Sequence, residues 1–184
     1  MQVREVVARA NEGDVRATGE RIAAYVTGCR QTSLSACARS AGVGSRALTA
    51  PARGEHKPAI RTLVALWEEG GRVLDLHWLL TGDGQMLVAE DPGEGQCDFP
   101  SEVARIRALA RALGMTMAQL LGECGWPTGG AAQGTSYVSC DVLWYLHRRW
   151  PNLDLQWVVT GTRCAVRHIP QGSRVRVVPR ALDR

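Results

Sequence analysis

From Asp14 to Thr27 the apolar residues Val15, Ile22, Ala23 and Val26 recur on one helical side. That is the three-to-four spacing of a helix with one buried stripe. The residues that follow read as short helices with punctuated ends. Ser33 stands where an N-cap hydroxyl belongs, ahead of a helix over Leu34–Ala41, and Gly42 falls where a left-handed helix end is needed. A further helix is predicted over Ser45–Ala50, stopping at Pro51, because proline lacks the N–H that a helix interior uses. Pro58 then opens a helix with Ile60, Leu63, Leu66 and Trp67 at three/four spacing. Asp75–Leu80 forms a last short helix before the turn Thr81-Gly82-Asp83-Gly84.

The pattern occurs twice. Residues 75–83 read Asp-Leu-His-Trp-Leu-Leu-Thr-Gly-Asp and residues 154–162 read Asp-Leu-Gln-Trp-Val-Val-Thr-Gly-Thr, identical at five of nine positions. Upstream, Gly54 answers Gly134, Leu63 answers Leu143, Ser33 answers Thr116 and Gly42 answers Gly125. A repeat of about 80 residues is too long for a solenoid and indicates a duplicated domain. The predicted organisation is a first helical domain over 1–88, a polar linker over 89–100, a degenerate second copy over 101–164 and a basic tail over 165–184. The tail alternates Arg174-Val-Arg-Val-Val178 after a strand-like Ala165–Ile169, which suggests a small β-hairpin. The expected fold class is all-α, in two tandem domains with that hairpin at the end. Trp78 and Trp157, at equivalent places in the two copies, read as core anchors.

Residues 32–58 carry the candidate chemistry. A helix-turn-helix needs a capped first helix, a small residue where the helices approach, a glycine turn and a second helix with a free outer face. Ser33, Ala38 and Gly42 fill the first three roles, with Val43 and Leu48 directed inward. Over these 27 residues, including Arg53-Gly54-x-x-Lys57-Pro58, the chain resembles the lambda-repressor-like (Cro/repressor) family, and Trp78–Met86 resembles the closing motif of its phage-repressor members. The resemblance implies that Ser45, Arg46 and Thr49 meet base edges, with Arg46 suited to guanine. It further implies that Ser33, Arg53 and Lys57 bind phosphates. Two positions depart from the family, which usually has Gln where Leu34 stands and Glu where Ala52 stands.

The second copy is shorter at the equivalent place, where Pro127 and paired glycines oppose a recognition helix. It is therefore expected to serve as a scaffold for dimerisation or partner binding. Arg174 and Arg176 share one face of the predicted strand and suit either phosphate contact or a charged, aggregation-resistant edge. The function implied is a sequence-specific DNA-binding regulator, a repressor of phage or mobile-element origin acting as a homodimer on double-stranded DNA. The alternative is the same fold used as a protein-interaction module, such as an antirepressor, an anti-activator or an inhibitor of a host defence complex.

Composition narrows these readings without deciding between them. The net charge is +4, from 22 Lys+Arg against 18 Asp+Glu, and all of the surplus falls after residue 92. Lys57 is the sole lysine, a bias toward arginine that fits phosphate binding or a GC-rich genome equally. The six cysteines form no Cys-x-x-Cys pair and have no histidine at ligand spacing, so reduced thiols and no metal are expected. No phosphate-binding loop, nucleophile elbow or zinc-protease motif occurs, so neither an enzyme nor a cofactor is indicated. No apolar run has membrane length and the N-terminus is charged throughout, which points to a cytoplasmic protein with no membrane partner.

Overall fold

The computed structural model describes residues 3–88, 101–124 and 139–162, with side chains from residue 12 onward. The chain divides into two compact units, Met1–Pro92 and Gly93–Arg184. Regular structure among the described residues is helical. The strand-like segment 165–169, the hairpin at 174–178 with Arg174 and Arg176, the linker 89–100 and the glycine-rich stretch after Trp126 lie outside them.

In the first unit α1 spans Val3–Ala23 and passes into a π-helical turn, Ala24–Cys29. The apolar stripe had predicted a start at Asp14. The preceding residues hold Val3, Val6, Val7 and Ala10 at three-to-four spacing, and Gly13 does not interrupt the helix. Then follow α2 (Leu34–Ser40), α3 (Ser45–Ala52), α4 (Ile60–Glu69) and α5 (Leu76–Thr81). Helix α1 packs on α3 and α5, and α2 packs on α3 and α4. Ile22, Val26, Ala38, Leu48, Leu63, Leu74, Leu76, Leu79 and Leu80 are fully buried between them. An antiparallel bridge of Leu74 with Leu87 closes the loop that follows α5.

Pro51 does not end α3, contrary to the sequence expectation. It lies in the last turn, where one missing N–H breaks only one ladder bond, and its buried carbonyl instead accepts from Gly54 N at 2.8 Å. That carbonyl also explains Gly19 in α1. A Cβ at Gly19 would lie 2.2 Å from Pro51 O, so only glycine lets α1 approach the end of α3 this closely.

The second unit contains α6 (Glu102–Ala112), α7 (Met117–Glu123), α8 (Cys140–Arg149) and α9 (Leu155–Thr160). Its correspondence with the first unit is physical as well as textual. Asp75 caps α5 by accepting from His77 N at 2.8 Å, and Asp154 caps α9 by accepting from Gln156 N at 2.8 Å. Thr81 and Thr160 each donate to the carbonyl four residues back at 2.8 Å, and Gly82 and Gly161 both adopt left-handed φ, at 86° and 78°.

The repeat extends to an arginine in the first helix of each unit. Arg21 Nε donates to Leu79 O at 2.8 Å and its Nη2 to Leu80 O at 3.0 Å. Arg105 Nε donates to Val158 O at 2.9 Å and its Nη2 to Val159 O at 2.8 Å. These are carbonyls at a helix end, which have no acceptor role left inside the helix. The tryptophans do not repeat so closely. Trp157 is buried, whereas Trp78 is only half-buried, so Trp78 is not the core anchor its position suggested.

Replacing Arg105 by Leu removes both donors and leaves two helix-end carbonyls without them. Urea unfolding followed by tryptophan fluorescence should show a loss of about 3 kcal/mol, with a smaller loss for Arg21→Leu, whose guanidinium is half-exposed. Unchanged midpoints for both variants would show that the clamp contributes nothing.

Candidate nucleic-acid interface

Helix α2 starts at a built cap. Ser33 has extended backbone and its Oγ accepts from Ala36 N at 3.2 Å. At the other end the chain reverses through Gly42, which holds φ at +67°, a conformation that costs a side-chain-bearing residue about 1 kcal/mol or more. Val43 N donates to Ala38 O at 2.9 Å and Gly42 N to Arg39 O at 3.1 Å, the paired bonds that close a helix before a left-handed glycine. Gly44, extended, then leads into α3 with no side-chain cap. Ala38 is fully buried between the two helices, and Leu48 anchors α3 beneath.

This arrangement places the sequence-predicted residues as follows. Ser45 and Arg46 are exposed in the first turn of α3, and among the described residues no carboxylate lies within ion-pair distance of Arg46. Ser45 is not wholly free, since its Oγ is 2.9 Å from Ser35 Oγ of α2. Thr49, one turn further along, is half-buried. Ser33, Arg53 and Lys57 are exposed, and Arg53 Nη1 lies 3.7 Å from the Glu55 carboxylate, a solvated pair of little strength.

Sequence reading overlooked two features. One is charge distribution. The first unit was neutral in total, yet residues 30–61 hold Arg30, Arg39, Arg46, Arg53, Lys57 and Arg61 against the single carboxylate of Glu55. All of these cations are exposed, and a charge window of about 30 residues, in place of a domain total, would have revealed them.

The second feature is Glu69 at the end of α4. Its carboxylate accepts from Arg30 Nη2, from Ser40 Oγ at 3.0 Å and, more weakly, from Cys37 Sγ at 4.0 Å. Glu69 thus ties both the approach to α2 and its last turn to α4, with only 10% of its side chain exposed. Burial pushes the Cys37 thiol above its ordinary range, and the Glu69 charge adds to that shift. No local motif signals this contact, because it joins residues 29 to 39 positions apart.

No family model, curated protein or solved structure matches the chain.

Cys37 is buried whereas Cys29 is exposed. At pH 8, iodoacetamide should therefore modify Cys29 readily and Cys37 slowly, as read by peptide mass spectrometry. Glu69→Ala should lower stability by about 1–2 kcal/mol and raise the Cys37 rate several-fold, because α2 loses its tie to α4. Equal rates for Cys37 in both proteins would contradict the role given to Glu69.

Proposed function

We propose that the protein is a sequence-specific DNA-binding regulator that reads duplex DNA with the first turn of α3, in the manner of the lambda-repressor-like domains its sequence resembles. The observation that carries this reading is Arg46. It is exposed at the start of a short helix whose opposite side is anchored by Leu48 and Pro51, and it is surrounded in sequence by cations with almost no opposing charge. A helix in a major groove uses the side chains near its N-terminus for base edges, and arginine pairs its two N–H groups with guanine O6 and N7. Arg53 and Lys57, in the loop after α3, suit phosphates flanking that groove, and Ser33 suits one at the head of α2.

The same reading makes the second unit a degenerate copy of the fold that serves assembly. A single reading head per chain fits a homodimer on a palindromic site, as for a repressor of phage or mobile-element origin. The concentration of exposed arginine between residues 30 and 61 favours DNA over the protein-interaction alternative. Such a surface meets phosphate well, whereas the cores of protein–protein interfaces are depleted in charge.

The test is a gel shift of the full chain on the DNA upstream of its own gene, followed by anisotropy titration. Binding at a dissociation constant of roughly 10⁻⁸–10⁻¹¹ M to one site is expected at moderate salt. Arg46→Ala should reduce discrimination by about 1–3 kcal/mol at one base pair. Lys57→Ala should weaken all sequences alike and lower the salt slope by about one. No shift at low salt, with a protein co-purifying instead, would transfer the assignment to the interaction module.

A further inference from the structure

The arginine that clamps each unit marks equivalent places further along its chain. Two and six residues beyond Arg21 stand Ala23 and Thr27, whereas two and six residues beyond Arg105 stand Arg107 and Arg111. Both of these arginines are exposed, one turn apart on the outer face of α6, with about 5–6 Å between Cβ atoms at that spacing. Like charges so placed repel each other and weaken a helix. On α1 the same spacing instead carries an ion pair, Arg16 with Glu20 at 3.2 Å.

Among the described residues no carboxylate lies within ion-pair distance of Arg107 or Arg111. Those of the second unit have other places. Glu123 accepts from Tyr145 Oη at 3.0 Å, Asp154 caps α9, and Glu102 and Asp141 lie in the first turns of α6 and α8. The C-terminal end of α6 favours a cation at Arg111, in its last turn, but gives no such support to Arg107. Nor does the fold ask for either charge, since Ala23 and Thr27 serve at those places in the first unit.

We propose that Arg107 and Arg111 form a phosphate-binding pair, through which the second unit holds the duplex backbone without reading its sequence. This rests on the DNA reading above and gives the second unit a role on DNA beside assembly. A phosphodiester strand is a row of negative charges, so it relieves the repulsion within the pair, and each guanidinium can offer two N–H groups to phosphate oxygens. A protein partner suits the pair less well, because burying two like charges without carboxylates is costly. The surplus of +4 in the whole chain, which falls after residue 92, accords with such a contact.

The experiment measures anisotropy of the full chain on a duplex it selects from a random library and on a scrambled duplex of equal length. Salt is varied from about 50 to 200 mM. Arg107→Gln/Arg111→Gln should weaken binding to both duplexes by the same factor and lower the salt slope by about two, one for each lost phosphate contact. Arg107→Lys/Arg111→Lys keeps the charge and should retain the wild-type slope. Discrimination between the duplexes should be unchanged in both variants, in contrast to Arg46→Ala. Circular dichroism melting confirms that each variant is folded. An unchanged slope in the glutamine variant, with discrimination still dependent on Arg46, overturns this inference and leaves the DNA reading intact. A slope lost equally in the lysine variant traces the loss to something other than charge and overturns it as well. Binding of neither duplex overturns both.

Discussion

Each unit of this protein is organised around an arginine in its first helix that reaches the last carbonyls of its final helix. The final helices, Leu76–Thr81 and Leu155–Thr160, have only six residues each, too few to be stable alone. Their N-termini are held by aspartate caps, and the carbonyls of their last turn accept from donors outside the helix, Thr18 Oγ1 also donating to Leu80 O at 3.3 Å. Arg21 and Arg105 supply those donors, with Nε and Nη2 directed at consecutive carbonyls in both cases. In the first unit the consequence extends further. The helix that carries Arg21 also carries Gly19, whose missing side chain admits the carbonyl of Pro51 and so seats α3 against α1. One helix therefore fixes both the closing motif and the candidate reading helix.

On that scaffold the surface of the helix pair is left for other work. Leu48, Ala50 and Pro51 hold α3 from below, the Gly42 turn sets its angle to α2, and Glu69 secures α2 from the side. The residues released to solvent are polar or cationic, with Leu34 half-exposed among them. Such a division suits recognition, because base contacts need side chains whose backbone cannot shift as the ligand arrives. It also shows how a unit with no net charge can present a cationic surface, since all of its carboxylates but Glu55 lie outside the segment that carries the helix pair.

Much of this was legible in the residues. The cap at Ser33, the reversal at Gly42, the α4 stripe and the equivalence of residues 75–83 with 154–162 rest on local chemistry, and local chemistry is what a sequence displays directly. The misjudged places each depend on something distant. The early start of α1 is the exception, since Val3, Val6, Val7 and Ala10 recur at three-to-four spacing and are local evidence for it. Pro51 was given the power to stop a helix because its carbonyl partner at Gly54 and its neighbour Gly19 could not be foreseen. Arg21 and Arg105 were passed over because an arginine in a first helix reads as solvated until the carbonyls 53 to 59 residues away are in view. For the candidate site, Arg46 and Ser45 could be named from spacing alone, whereas the Ser35–Ser45 contact and the Glu69 tie needed coordinates.

The central claim is that the helix pair from Ser33 to Lys57 is the surface that duplex DNA occupies. Amide hydrogen exchange of the full chain, measured with and without a selected duplex at low salt, tests it most directly. The account predicts slowed exchange concentrated at the first turns of α2 and α3 and in the loop at residues 53–57. Slowed exchange confined to the second unit, or no change anywhere in the presence of the duplex, would contradict it.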